Sequence, residues 1–196
     1  MDFFALLHEP RRPWLDADAL KTKFLSLAAE VHPDRVHESA DAVKLAATAR
    51  YTALNAAHNC LREPRDRIRH LLELELGHKP SDLTSVPNDL MDLFFEIGKE
   101  FREVDAFLAE KARATSPLLQ VQLFERGQIK VDKLGELRAR ILPRRDALLD
   151  ELKSVDAEWD STLPKPLERL LVIWRLLSFY ERWLAQIHER TVQLTF

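Results

Sequence analysis

The sequence has little glycine and little cysteine, and it contains no long apolar run. Only 4 glycines and 1 cysteine occur among its 196 residues. The single thiol, Cys60, excludes an internal disulfide and any zinc or iron–sulfur site built from several cysteines, which fits a reducing compartment. No glycine-rich phosphate loop is present, and no apolar run approaches the length that crosses a bilayer. These absences remove disulfide scaffolds, nucleotide-binding folds and membrane spans from the function classes to consider.

The sequence also lacks any cluster of charges of one sign. The formal net charge is −3, and acidic and basic residues are spread evenly along the chain. Because no basic tract could follow a phosphate backbone or an anionic lipid surface, neither nucleic acid nor a membrane is expected as a partner. The N-terminus carries Asp2 and no apolar core flanked by basic residues. We therefore expect a cytoplasmic protein without a leader.

What remains is a composition typical of helices. Apolar residues make up 46% of the chain and charged residues 31%, and this predicts an all-α globular protein. Gly77, Pro80 and Pro87 interrupt a polar stretch that we interpret as a domain boundary. The expected organisation is an N-terminal helical hairpin in residues 1–76, a linker in 77–87, and a bundle of three antiparallel helices in 88–196.

The first half is predicted to hold three helices after a short apolar turn at residues 3–8. The first is expected to start at an N-cap formed by Asp16 or Asp18 and to end near Val31. The second, rich in alanine, should run from about Ala40 to Arg62 with Ser39 or Asp41 as its cap. Pro64 can then open a third helix that ends near Leu76.

The second half begins with apolar residues that alternate at spacings of four and three, which is typical of the buried seam of a long helix. These residues are Leu90, Phe94, Ile97, Phe101, Val104 and Leu108. A further helix is expected over Leu134 to Val155, with Gly127 and Gly135 weakening its start and Pro143 bending its middle. A last helix should extend over Leu167 to Ile187. For residues 115–130 the sequence pattern predicts no particular secondary structure.

His32, Pro33 and Asp34 lie between the two helices of the predicted hairpin. Proline has no N–H and pushes the preceding residue out of helical geometry, so the first helix must stop there. Asp34 would then be an exposed carboxylate beside an exposed imidazole, which offers an acceptor to an arginine or a backbone donor of another protein. The alternative is a turn that only ends the helix.

In this context the chain resembles the J-domain of the DnaJ family. The matching segments are Phe3 to Leu7, the amphipathic run Leu20 to Val31, the tripeptide followed by Arg35, and the string Leu54 to Pro64. A J-domain at the N-terminus that continues to Leu72, then a linker and a helical segment that opens with Leu90 and Met91, resembles more specifically the iron–sulfur-assembly co-chaperones of the HscB family.

The resemblance implies a partner for the tripeptide. In these families this loop contacts a DnaK- or HscA-type ATPase chaperone and accelerates its ATP hydrolysis, a role that falls here on His32, Pro33 and Asp34. The cationic side chains expected to assist are Lys21, Lys23 and Arg35. Ala28, Ala29 and Glu30 stand where basic residues are common in the family, so long-range electrostatic steering should be weak.

The resemblance also implies a client, the iron–sulfur scaffold protein IscU, bound by the first helix of the second half. The residues that match are Leu90, Met91 and Phe94, with Phe179 on the last helix as a counterpart, and Phe95 next to them is a further candidate for the client contact. Phe95, Gly98 and Arg102 stand where carboxylates would be expected, which puts the client in question. Core packing is the alternative reading of this apolar strip.

Other chemistry finds little support. The histidines form no pair with metal-ligand spacing and have no cysteine partner, so neither a metal nor another cofactor is expected. The chain is predicted not to be an enzyme itself but to activate the ATPase of its partner. Two alternatives remain open: a J-domain protein with a different client, and a structural or oligomerising helical protein, including a homodimer through the apolar strip.

Overall fold

The structure, a computed structural model, describes residues 1–32, 35, 40–81, 86–114 and 116–195. These residues form seven α-helices and no strand, so the prediction of an all-α fold is confirmed. The helices are α1 (Phe3–Leu6), α2 (Ala17–Glu30), α3 (Asp41–Arg62), α4 (Pro64–Leu76), α5 (Met91–Lys111), α6 (Pro117–Ala157) and α7 (Leu167–Thr195), with a 3₁₀ turn at Asn88–Leu90.

The helices group into two compact units. The first consists of residues 1–81 and 149–174, and the second of residues 82–148 and 175–196. The end of α6 and the start of α7 thus belong to the first unit, whereas the sequence pattern grouped them with the C-terminal helices. The domain limits at 76 and 88 remain a prediction.

Short polar side chains start the first helices. The Asp2 carboxylate accepts hydrogen bonds from Phe4 N and Ala5 N, and the Asp16 carboxylate accepts one from Ala19 N at 2.8 Å. Of the two caps proposed for α2, Asp16 is therefore the one used. The N-cap of α3 is Ala40, which has no capping side chain, so the expectation of Asp41 there was wrong. Ser39 lies outside the described residues.

The helix α4 has the predicted start and stop. Pro64 occupies its first turn, where a missing N–H costs nothing. Gly77 follows its last residue with φ of 75°, a left-handed conformation that glycine adopts without strain, and its N–H donates to Glu73 O at 3.0 Å. This bond satisfies a carbonyl that the helix itself leaves unpaired.

The helices α2 and α3 form the predicted hairpin. Phe24 on α2 stacks on His58 of α3 with ring centroids 4.3 Å apart, and His32 beyond α2 meets Tyr51 of α3 at 5.3 Å. Because the residue nearer the end of α2 meets the residue nearer the start of α3, the two helices run antiparallel. Beneath them, α1 and α4 complete a core of fully buried side chains: Phe4, Leu7, Leu20, Leu54, Leu61, Ile68, Leu71 and Leu72.

The loop before α2 is held by the buried Arg67 of α4. Its guanidinium donates to Pro13 O at 2.8 Å and to Leu61 O at 2.7 Å. Burial lowers the pKa of Arg67 to about 10, so the side chain stays charged at neutral pH. Neutral carbonyl oxygens supply the hydrogen bonds that a buried cation needs. The sequence pattern had not marked this residue.

The second unit contains a three-helix arrangement whose directions follow from its ion pairs. Glu96, Glu103 and Glu110 of α5 pair with Arg140, Lys130 and Arg126 of α6, in reverse order, so α5 and α6 are antiparallel. Asp105 and Lys111 of α5 meet Arg190 and the Leu194 carbonyl of α7 in the same order, so α5 and α7 are parallel. Sequential neighbours therefore alternate in direction, as predicted for a bundle.

The buried face of α5 differs from the predicted seam at both ends. Phe94 is 40% exposed and Leu108 is half-buried, whereas the neighbouring Leu93 and Phe107 are buried with Ile97, Phe101 and Val104. The strict four–three spacing suits one partner helix. Here two partners, α6 and α7, cover a wider face, which also takes in Glu100.

Helix α6 is longer than the sequence suggested. It is continuous from Pro117 to Ala157, so residues 117–130 are helical and neither Gly127 nor Pro143 ends it. A Cβ on Gly127 would lie 3.5 Å from the Phe107 ring, which means that this glycine brings α6 close to α5. Pro143 is exposed, and the carbonyl that loses its hydrogen bond belongs to the exposed Ala139.

Candidate functional site

The predicted partner-contact loop lies between α2 and α3. Pro33 and Asp34 are outside the described residues, and His32 and Arg35 are inside. The Arg35 N–H donates to His32 O at 2.9 Å, and the Arg35 side chain is exposed. His32 is half-buried, and its ring edge packs against Tyr51. The expectation of an exposed imidazole was therefore wrong, because an aromatic ring of α3 holds it.

The two predicted lysines of α2 have different environments. Lys23 Nζ pairs with Glu9 Oε1 at 2.7 Å and donates to His8 O at 3.1 Å, so it is tied to the loop after α1. Lys21 is exposed and, within the described part of the chain, pairs with no carboxylate. Lys21 faces toward α3 closely enough to help lower the pKa of His58, which burial and Arg62 lower more. The freely presented cation of this helix is thus Lys21.

An apolar side chain accompanies Lys21. Leu25 lies one turn later on α2 and is 54% exposed, and residues four apart share a helix face. Leu25 was not predicted from the sequence, because only the basic residues Lys21, Lys23 and Arg35 were expected to assist the tripeptide. The available signal was its position on the side of α2 opposite the apolar stripe of Leu20, Phe24 and Leu27.

The predicted client strip begins at the start of α5. Leu90 is only 1% exposed, Met91 is half-buried, and Phe95 is 61% exposed. The rings of Phe94 and Phe95 meet edge to face with centroids 5.7 Å apart. Met91, Phe94 and Phe95 therefore form an exposed apolar surface, while Leu90 packs underneath in the core.

Phe179 belongs to the same level of the bundle. The parallel α5 and α7 meet at Asp105 and Arg190, 85 residues apart, and the same offset places Phe179 level with Phe94. Phe179 is half-buried and its ring lies 5.8 Å from that of Trp183. Its proposed role as counterpart is compatible with this placement.

Five of the six carboxylates of α5 make ion pairs with the neighbouring helices. Each of those that make an ion pair reaches α6 or α7: Glu96 to Arg140, Glu100 to Lys133, Glu103 to Lys130, Asp105 to Arg190, and Glu110 to Arg126. A cleft of about 270 Å³ between α5 and α6 is lined by Glu96, Glu100, Lys133 and Arg140 among others. The polar groups of α5 therefore serve the bundle.

A cluster of metal-ligand side chains is not seen in the residues that the structure describes. No three His, Cys, Asp or Glu side chains there come together as metal ligands. The Cys60 thiol is half-buried on α3, and burial raises its pKa to about 11, with Asp66 adding to the effect. Among the described helices, none is both long and apolar enough to cross a bilayer.

Comparison with known proteins finds a protein of similar sequence over part of the chain. No protein-family model matches the chain. The chain is 37% identical over 91 residues to a protein from Chromobacterium violaceum described as co-chaperone protein HscB homolog. That segment is 46% of this chain and 52% of the relative, so the chain spans about half the length of the curated relative that it matches.

The fold is similar to two solved structures. Chaperone HscB from Vibrio cholerae aligns with a TM-score of 0.68 and 19% identity over 99% of both chains. Human co-chaperone protein HscB aligns with a TM-score of 0.59 and 18% identity over 98% of this chain and 81% of the human chain. At these identities the likeness establishes the fold alone. Together with the relative in sequence, it confirms the resemblance to HscB co-chaperones.

Proposed function

We propose that this protein is a J-domain co-chaperone of the HscB type. It stimulates the ATPase of a DnaK- or HscA-type chaperone through His32, Pro33 and Asp34, and it brings the iron–sulfur scaffold protein IscU to that chaperone. The observation that carries the proposal is the position of the tripeptide between α2 and α3 of an HscB-like fold. The cytoplasmic location and the absence of a cofactor stay predictions.

The chaperone contact is proposed to centre on Asp34. A carboxylate between two antiparallel helices can accept hydrogen bonds from an arginine of the partner, and such charge-assisted bonds are strong. Tyr51 packs against His32, which precedes Pro33 in the sequence. Lys21 and Arg35 supply exposed positive charge for the encounter. Lys23, which is paired with Glu9, contributes mainly by holding α2 to the preceding loop.

The client contact is proposed to use the exposed side chains Met91, Phe94 and Phe95, with Phe179 at the same level. Leu90 acts indirectly, because it is buried and sets the position of the first turn of α5. Two exposed phenylalanines side by side are uncommon on a surface without a partner, and aromatic side chains dominate binding energy when covered.

Two sites on one chain make the mechanism bivalent. A client held on α5 would meet the chaperone at a raised effective concentration while the tripeptide triggers ATP hydrolysis. Neither step requires a reacting group on this protein. In this proposal the protein is not an enzyme but an activator of one.

The proposal is tested by the ATPase rate of a purified DnaK- or HscA-type chaperone titrated with this protein. We expect stimulation by the wild type and its loss in Asp34→Asn, with an unchanged helical circular dichroism spectrum. Equal stimulation by both proteins would disprove the role of the tripeptide. Adding IscU should raise the stimulated rate further if IscU is the client.

A different client is the second candidate, and Gly98 and Arg102 favour it. Neither residue supplies the acidic character expected next to the apolar strip. If IscU has no effect while the chaperone still responds to the wild type, the J-domain role stands and another client is indicated. Sedimentation velocity would show whether two copies of the chain associate through the strip instead.

A further inference from the structure

Five of the six carboxylates of α5 are already paired with basic side chains of α6 or α7. The five acidic residues that form ion pairs, Glu96, Glu100, Glu103, Asp105 and Glu110, all contact basic residues of α6 or α7. In every one of these pairs the acid is on α5 and the base is on the neighbouring helix. Each of these five negative charges therefore has a cation of a neighbouring helix beside it, and the pairs of Glu96, Asp105 and Glu110 lie at the surface.

Between Met91 and Arg102, one face of α5 carries apolar residues and the cation of Arg102. Met91, Phe95, Gly98 and Arg102 follow each other at spacings of four, three and four, so they form one stripe along the helix. Phe94 borders this stripe and contacts Phe95. Two exposed acids flank the stripe, Glu96 next to Phe95 and Asp105 one turn after Arg102, and their carboxylates pair with Arg140 and Arg190. The stripe thus ends in a cation.

Arg102 lies back along the helix over Gly98. A Cβ on Gly98 would be 3.6 Å from Arg102 Nη1, so the guanidinium rests on the space that the glycine leaves open. Within the described residues no carboxylate pairs with Arg102. A guanidinium over Gly98, about one helical turn from Phe94 and Phe95, can receive a carboxylate in a contact that excludes water, where such a pair is strong.

We propose that the stripe of Met91, Phe94, Phe95, Gly98 and Arg102 binds an apolar protein segment that carries a carboxylate, and that this carboxylate pairs with Arg102. This inference rests on the proposed client-binding role of α5 and specifies the chemistry of the partner. The apolar side chains of the partner cover Phe94 and Phe95. Gly98 has no side chain, so the Arg102 guanidinium can lie across it.

Charge complementarity decides between kinds of partner. A segment with a basic residue in the central position would place two like charges together in a partly desolvated contact, which is costly. A segment without charge would leave Arg102 covered and unpaired. An acidic apolar segment avoids both costs, and it is therefore the occupant that the stripe selects.

The experiment uses the full-length protein and two synthetic amphipathic helical peptides. Both have the same leucine stripe and a fluorescent label, and they differ only in one central residue, glutamate in one and lysine in the other. We expect the glutamate peptide to bind on the order of tenfold more tightly at low salt, measured by fluorescence anisotropy. Arg102→Glu should reverse the preference, and Phe95→Ala should weaken both peptides.

Arg138→Glu is the matched control, because Arg138 is an exposed arginine on α6 and its reversal changes the net charge equally. It should leave the preference as in the wild type. Equal binding of the two peptides, no binding of either, or a preference that survives Arg102→Glu would overturn the inference.

The same variants separate this inference from the proposed function. If IscU fails to bind the wild type while the glutamate preference and its reversal hold, the named client is wrong and the inference stands. If IscU binding is lost in Phe95→Ala but neither peptide is preferred, the client-binding role stands and the inference is wrong.

Discussion

Asp156 accepts two hydrogen bonds from the Arg12 guanidinium, with Nη2–Oδ2 at 2.6 Å and Nε–Oδ1 at 2.9 Å, although 144 residues separate them. The same carboxylate accepts a bond from Trp14 N at 2.9 Å. The loop before α2 is thereby fastened to the end of α6, and both belong to the first compact unit. Hydrogen bonding to Asp156 raises the pKa of Arg12.

Asp156→Ala should destabilise the first unit by about 2–3 kcal/mol, because it removes three hydrogen bonds to a mostly buried acceptor and leaves a backbone N–H unpaired. The measurement is urea unfolding followed by tryptophan fluorescence, since Trp14 and Trp159 both report on this region. Asp150→Ala is the control: Asp150 is exposed and pairs with Lys153 within the same helix, so its loss should cost less than about 0.5 kcal/mol. A similar loss of unfolding free energy in the two variants would contradict the stabilising role given to Asp156.

His70 should make the first unit sensitive to mild acid. Its Nε2 accepts a hydrogen bond from Phe3 N at 3.0 Å, which requires the neutral ring, and burial lowers its pKa from the ordinary 6.5. Asp2 and Glu73 oppose this shift, whereas the N-terminus and Arg69 add to it. The unfolded chain binds a proton more readily than the folded one, so stability is full above about pH 6.5 and falls as pH drops below that value.

The measurement is the melting temperature at pH 7.5 and 5.5. We expect a drop at pH 5.5 that is smaller in His70→Gln, which cannot be protonated. His188→Gln changes an exposed histidine of α7 and should keep the drop of the wild type. An unchanged pH dependence in His70→Gln would assign the effect to other groups.

Cys60 should be inert while the protein is folded. With its pKa raised to about 11 by burial, only about 0.1% of the thiol is ionised at pH 8, compared with tens of per cent for an ordinary thiol of pKa 8.5. The S–H also donates to Asp66 O at 3.5 Å. Reaction with Ellman's reagent at pH 8 should accelerate by about a hundredfold in denaturing urea. Rapid reaction of the native protein would place Cys60 at an accessible site instead.

Lys21 and Lys23 should differ in chaperone stimulation, provided that the proposed function holds. Lys21→Glu should raise the protein concentration for half-maximal ATPase stimulation several-fold at low salt, because Lys21 is exposed and unpaired with any described carboxylate. Lys23→Gln should mainly lower the melting temperature, because it removes the contacts to Glu9 and His8. A larger ATPase effect from Lys23→Gln would reverse this assignment.

The sequence predicted most of the helices, but it missed the first part of α6 and did not predict which residues are buried on α5. Local signals such as the N-cap Asp16, Pro64 and Gly77 located helix ends correctly, because capping depends on residues close in the chain. The choice between Leu93 and Phe94 could not be made this way. It depends on where α6 and α7 lie around α5, which the ion pairs at Glu96 and Asp105 reflect.

Contacts between distant parts of the chain could not be predicted from the sequence either. Nothing near Arg12 indicates Asp156 as its partner, and nothing near Lys23 indicates that Glu9 neutralises it. The candidate site was predicted at the level of its tripeptide and its apolar strip. The pairing of Lys23, the half-burial of His32 and the burial of Leu90 required the three-dimensional arrangement.

The first compact unit is assembled from two stretches, 1–81 and 149–174, with residues 82–148 between them. During translation, the earlier stretch leaves the ribosome well before the later one exists. At elongation rates of about 5–20 residues per second, synthesis of residues 82–148 takes roughly 3–13 s. During that time the nascent chain lacks Asp156 and Trp159. The hydrogen bonds from the Arg12 guanidinium to Asp156 and from Trp159 Nε1 to the Arg11 carbonyl therefore cannot form until later.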